Sequence, residues 1–154
     1  MIGVALWIKE EYEEAISYWK QMFNAHYTDA KGGIEIFSFL LFAALSTGNE
    51  LLKKETENRL KKMYKSKKKS VYPLSLVSFL LNKLSKEELV RSASEVEALK
   101  ERQLCKVHFY VSLFEQETST KQDILKKSTE GKTNFLEPEF FLARNELKRF
   151  KSEE

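Results

Sequence analysis

Between Ile34 and Leu45 the chain reads IEIFSFLLFAAL, in which only Glu35 and Ser38 are polar. A run this apolar must be covered on all sides, inside a core or inside a membrane. Its twelve residues rise about 18 Å as an α-helix, short of the roughly 20 apolar residues that a membrane span requires. The Ala43-Ala44 step and the helical signals on both flanks argue against a pair of β-strands. The run is therefore expected to be one core helix, buried all round, and the rest of the chain has to supply its cover.

That cover is expected to be helical. Leu and Phe are abundant, whereas five Gly and two Pro are too few for the many turns of a sandwich or barrel. No composition shift divides the 154 residues, so a single domain over 1–150 is expected, with a frayed tail over 151–154. Charged residues make up 32% but nearly cancel, leaving +3. This disfavours nucleic acid, whose binders gather a larger excess on one face. The lone Cys105 excludes an internal disulfide framework and an all-cysteine metal cluster. Ile2 to Ile8 has no basic residue ahead of it and is too short for a secretory signal, so a cytoplasmic protein is expected, without a membrane anchor.

Taken in order, Met1 to Lys9 reads as a short apolar helix, followed by the acidic turn Glu10-Glu11. A second helix carries Tyr12, Ala15, Ile16, Trp19, Met22 and Phe23 on one face. Glu10, Glu13 and Glu14 form an acidic cluster, favoured near a helix N-terminus by its dipole. Thr28 or Asp29 can cap the core helix. After Ser46-Thr-Gly-Asn49 comes a helix from Glu50 to about Lys65, with Leu52, Thr56, Leu60 and Met63 inward and Glu50-Lys54 and Glu57-Lys61 pairs outward. Lys65-Ser-Lys-Lys-Lys-Ser70, with Tyr64 and Tyr72 beside it, reads as a solvated connector. Its Lys67, Lys68 and Lys69 form the one basic loop that could touch phosphates. Pro73 opens an apolar helix through Leu81. Ser85-Lys-Glu-Glu88 is a capping box, and Leu84 with Leu89 has the spacing of a hydrophobic staple. A second box, Ser94-Glu-Val-Glu97, predicts the longest helix, from Glu95 to about Glu117, with Val96, Leu99, Leu104, Val107, Val111 and Phe114 buried. Thr118-Ser-Thr120 ends it, Thr120 caps a short helix with Ile124 and Leu125, and Gly131 closes that helix. The last helix begins near Glu137-Pro138, with the stripe Leu136, Phe140, Ala143, Leu147 and Phe150.

About nine helices joined by short connections imply an all-α protein of stacked antiparallel hairpins. Chemistry is harder to find. Cys105 and His108 share a helix face, which invites a thiolate-imidazole pair, but both fall near the buried side, where they behave as core residues. Catalytic, metal and cofactor sites are therefore not expected: there is no HExxH or paired-cysteine spacing, and Lys31-Gly32-Gly33 is no phosphate loop. Glu137 and Glu139 flank Pro138 at a helix start, where carboxylates are ordinary caps.

Gly3, Leu6, Tyr12, Ala15, Ile16 and Trp19 stand at the offsets of a tetratricopeptide unit, although the leading aromatic position is missing. FLLNKLSKEEL (79–89), ERQLCKVHFY (101–110), LEPEFFLARNEL (136–147) and YTDAKGGIEI (27–36) resemble segments of small bacterial tetratricopeptide-like proteins. They are similar also to the C-terminal half of the tetratricopeptide lipoproteins that scaffold cell-wall hydrolases, but without a lipobox cysteine. The resemblance implies a degenerate tetratricopeptide-like α-solenoid that binds another protein and no small-molecule substrate. Its sharpest form is an immunity protein that neutralises a toxin domain encoded beside it; the alternatives are an adaptor and, more weakly, nucleic-acid binding through Lys67 to Lys69. A basic toxin cleft would be met by Glu10, Glu13, Glu14, Glu95, Glu97 and Glu101. The stack can also dimerise to cover an end that lacks a polar capping helix.

Overall fold

The computed structural model describes residues 1–24, 30–64 and 71–152. Among these, nine α-helices and one 3-10 turn account for the regular structure, with no strand. They are α1 (Ile2–Ile8), α2 (Tyr12–Asn24), α3 (Ala30–Thr47), α4 (Glu50–Met63), α5 (Leu74–Leu80), α6 (Lys86–Arg91), α7 (Glu97–Ser112), α8 (Thr118–Lys127), the 3-10 turn Asn134–Leu136 and α9 (Pro138–Ser152). The chain divides into two compact units, Met1–Ser85 and Lys86–Glu154.

In the first unit, α3 is the core helix that its composition demands, with Ile34 and every residue from Phe37 to Ala44 buried. The one hydroxyl in that stretch is satisfied locally, since Ser38 Oγ donates to the Ile34 carbonyl at 2.7 Å. Consecutive helices run antiparallel. Gly3 faces Trp19, where an added Cβ would come within 2.3 Å of the indole Nε1, while Trp7, a turn further along α1, meets Tyr12 at the start of α2. Trp19 stacks on Phe39 at 5.4 Å and Phe23 meets Phe37 edge-on at 4.9 Å, so α2 and α3 also run opposite ways.

Helices two apart then lie side by side in the same direction. Trp7 and Phe42 have ring centroids 4.8 Å apart, Lys20 pairs with Glu55, and Arg59 lies over Phe23. The partners are 35 or 36 positions apart, close to the 34 of a two-helix tetratricopeptide repeat. The same ending recurs on α1, α3 and α5. Glu10 (φ 65°), Gly48 (φ 66°) and Asn82 (φ 56°) adopt the left-handed conformation. The following residue's N–H returns to the last turn: Glu11 to Leu6, Asn49 to Ala44, and Lys83 to Ser78. This is the Schellman closure.

Leu52, Thr56 and Leu60 face inward on α4 as expected, and Asn49 caps it by accepting from Leu52 N at 2.9 Å. Two details differ. Met22 is exposed because α2 turns its inner face through Ala15 and Trp19, and Glu50 pairs with Lys53 rather than Lys54. Thr28, Asp29 and the loop Lys65 to Lys69 lie outside the described residues.

The second unit departs further from the pattern. α6 begins at Lys86, where the capping box places it, but α7 starts at Glu97 and ends at Ser112. At 16 residues it is shorter than the 18-residue α3. Ser94 does not cap it; its hydroxyl accepts from Val96 N, two residues on, in a local turn. Thr118 to Thr120 do not break the chain but form the first turn of α8. There Glu117, at the N-cap, accepts from the hydroxyls of Ser119 and Thr120, which holds its carboxyl below the usual range. α8 packs antiparallel on α7, with the Cys105 thiol donating to the Ser128 carbonyl, and α9 packs against both. No helix among the described residues is long and apolar enough to cross a membrane.

Candidate functional site

The largest buried concentration of charge lies in the second unit, where α9 begins against α7. Glu137 and Glu139 are 4% and 1% exposed, and carboxylate oxygens of the two lie within 4.8 Å of each other. Proline between them fixes the first turn of α9 and sends both side chains inward. Arg102 and Lys106, one helical turn apart on α7, both reach Glu137: the guanidinium Nε makes a close ion pair and the Lys106 Nζ sits at 2.9 Å. Tyr110, the next turn along, donates to Glu139 at 3.2 Å. Two cations thus face Glu137, which lets its carboxylate be buried without a large uncompensated charge, while Glu139 accepts from the Tyr110 hydroxyl. The arrangement pins α9 to α7.

Cys105 shares this interior. Burial, then the carboxylates of Glu139 and Glu137, push its thiol far above the ordinary range, and its S–H is committed to Ser128. His108 is held below its ordinary value by burial and then by Lys127, so the imidazole is neutral at neutral pH. The two residues that share this helix face are therefore a protonated thiol and a neutral ring.

The acidic residues singled out in the sequence fall into two groups, one in each unit. Glu10, Glu13 and Glu14 are exposed, the first in the turn after α1 and the others in the first turn of α2. Glu95 and Glu97 are exposed at the start of α7. Glu101 is engaged internally: it accepts from the Lys132 and Thr133 N–H groups at 2.8 and 2.9 Å and from the Thr133 hydroxyl. These hydrogen bonds hold its carboxyl below the usual carboxylate value. Lys67, Lys68 and Lys69 lie outside the described residues.

Around that Glu101 tether the surface is apolar. Val96 (61% exposed) and Leu99 (47%) project from the start of α7, and Phe135 (55%) and Leu136 (53%) from the 3-10 turn. Val96, Leu99, Phe114 and Leu136 were expected to be buried, and all four are exposed. The enclosed part of α7 is its C-terminal half, where Cys105, Val107, Phe109, Tyr110, Val111 and Ser112 are buried; Val96 and Leu99 precede it, Phe114 lies past the helix end, and Leu136 sits on the 3-10 turn. Periodicity assigns these exposed residues a face but does not reveal that the core stops before reaching them. Glu137 and Glu139 were missed for a related reason: a carboxylate is only worth burying beside partners, and those of Glu137 lie 31 and 35 positions away in sequence and Tyr110 lies 29 from Glu139. The one available signal is the Arg102-Lys106 spacing, which puts two cations on one face of α7 where its enclosed half begins.

The fold and this surface define a class: an all-α, repeat-like protein with exposed apolar side chains beside acidic ones. No protein-family model, curated protein or solved structure matches the chain.

Proposed function

We propose that this chain is a non-enzymatic protein-protein interaction module. In its sharpest form it is a bacterial, cytoplasmic immunity protein that covers and neutralises a toxin domain encoded beside it. The observation that carries this reading is the exposure of Val96, Leu99, Phe135 and Leu136 around the start of α7. Large apolar side chains left in water beside charged ones are the anatomy of an interface. Glu95 and Glu97 stand in the same stretch, so a basic partner would be steered toward it and acidic ones repelled. The repeat spacing of 35 to 36 residues in the first unit supports the tetratricopeptide-like reading, in which helical hairpins present a surface to another protein.

Co-expression with the neighbouring gene product tests it. That product should be toxic alone and harmless with this protein. The double variant Leu99→Asp/Phe135→Asp should lose protection while keeping its helicity, since both residues are already about half exposed. Persistent toxicity in the presence of the unaltered protein ends the immunity reading, and capture of several weak partners in place of one tight one favours an adaptor.

A further inference from the structure

Phe135 and Leu136 sit on the short 3-10 turn between α8 and α9. Connecting segments of this kind run over the surface and are ordinarily the mobile parts of a protein. This one is held from α7 at both ends. Ahead of the turn, Glu101 accepts from the Lys132 and Thr133 N–H groups and from the Thr133 hydroxyl. Behind it, Arg102, the next residue of α7, reaches Glu137, which Lys106 also holds at 2.9 Å. Between these grips Asn134 turns inward, 2% exposed, and donates through Nδ2 to the Ser128 carbonyl at 3.0 Å. Gly131 makes room for it, since a Cβ there would come within 2.4 Å of Asn134 Oδ1.

Thr133, Asn134 and Glu137 thus use their side chains to hold the segment, and Phe135 and Leu136 point outward. Two adjacent N–H groups on one carboxylate fix the backbone just ahead of the turn, and hydrogen bonds to an ionised acceptor are the strong ones. Ordering a loop on association costs free energy that would otherwise appear as affinity. A surface that is competent only part of the time binds more weakly by that fraction. A turn already fixed avoids both losses.

We propose that Glu101 is a positioning residue of the binding surface. With Arg102 and Asn134 it holds the turn so that Phe135 and Leu136 meet the partner in a conformation set beforehand, and the partner supplies an apolar pocket shaped to these two side chains. This rests on the interaction-module reading above.

Binding of the full chain to the purified neighbouring gene product, with amide hydrogen exchange on the free chain, tests it. Glu101→Ala should speed exchange of the Lys132 and Thr133 amides and weaken binding about tenfold, a difference of about 1.4 kcal/mol. Glu101→Gln keeps an accepting oxygen and should recover part of both. Gly131→Ala alters no charge and no exposed apolar side chain, yet by displacing Asn134 it should weaken binding comparably. The losses should persist at about 1 M salt, where screening acts within about 3 Å; a Glu101 that merely steered a basic partner would lose its effect there. Unchanged exchange in α7 and α9, with unchanged circular dichroism, separates a loosened turn from an unfolded chain. If the unaltered chain binds and Leu99→Asp/Phe135→Asp does not, while Glu101→Ala or Gly131→Ala binds as tightly as the unaltered chain, the positioning role is overturned and the surface stands. Unchanged exchange at Lys132 and Thr133 in Glu101→Ala overturns it likewise. If the unaltered chain does not bind, the interaction reading itself fails, and this inference with it.

Discussion

In the first unit, α1 and α3 meet through Trp7 and Phe42, rings 4.8 Å apart. In the second, α7 and α9 meet through Arg102 and Glu137, likewise 35 positions apart. One repeat-like geometry is thus closed by two kinds of contact. The aromatic closure draws on apolar burial and dispersion, which need shape complementarity but no particular ionisation state. The ionic closure needs its carboxylate charged and its cations in place, and its attraction is spent largely on offsetting desolvation. The first unit should therefore fail through cavities and intruding charge, and the second through loss of a charged partner.

The largest effect is expected where a charge enters α3. Leu41→Asp or Phe39→Asp would bury a carboxylate among apolar neighbours, at a cost beyond the 4–5 kcal/mol that marks exceptional substitutions. Since total stability is about 5–15 kcal/mol, far-ultraviolet circular dichroism should show an unfolded or insoluble product. Retained solubility and helicity would mean that this part of α3 is an interface instead of a core. Trp7→Ala should follow, at about 3–5 kcal/mol for deleting a buried aromatic side chain, read from urea unfolding.

Glu137→Gln tests the other closure. It leaves Lys106 and Arg102 without their shared carboxylate, but both cations have some access to water. The cost should therefore be about 2 kcal/mol, below the 3–5 kcal/mol of a fully buried broken pair. Replacing the group together, with Glu137→Leu, Arg102→Leu and Lys106→Met, should recover much of that loss. A triple variant worse than the single one would show that the ions contribute net stability.

These differences explain what the sequence reveals and what it hides. The core of α3 is legible because the burial of Phe37 to Ala44 appears as composition, and the start of α6 because the residues that signal it, Ser85 and Glu88, are three apart. α7 is misread because its apolar residues follow a helical period through exposed and enclosed halves alike, so Val96 and Leu99 resemble core. Glu137 resembles a cap until Arg102 and Lys106 are folded against it, which no local pattern announces. The exposed Glu13 and Glu14 follow from the dipole of α2, whereas the inward turn of Glu101 depends on Thr133, 32 positions away.

The pH response should expose the second unit's dependence on protonation. His108 is depressed from an ordinary 6.5, and Glu101 and Glu117 from 4.5. For each group the unfolded chain binds the proton more readily. The stability it contributes is complete above the ordinary value and is lost as pH falls through the folded one. Thermal midpoints should thus decline below about pH 6.5 and again below about pH 4.5. His108→Gln should flatten the first decline and Glu101→Gln reduce the second. An unchanged profile in His108→Gln would place the loss elsewhere.

The smallest effect concerns the first unit's recurring helix ending. Of the three residues that close α1, α3 and α5 in the left-handed conformation, Gly48 and Asn82 are types that accept it readily, and Glu10 is not. Left-handed backbone costs an ordinary residue about 1–2 kcal/mol, while glycine adds about 0.5–1 kcal/mol of unfolded-chain entropy. Glu10→Gly should therefore stabilise the protein by about 0.5 kcal/mol, visible as a higher urea midpoint at unchanged slope. Glu10→Asn should fall between the two, since asparagine tolerates the conformation without glycine's freedom. If both substitutions destabilise, the Glu10 carboxylate contributes more through the nearby N-terminus of α2 than its backbone strain costs, and the acidic cluster with Glu13 and Glu14 then stabilises the helix junction.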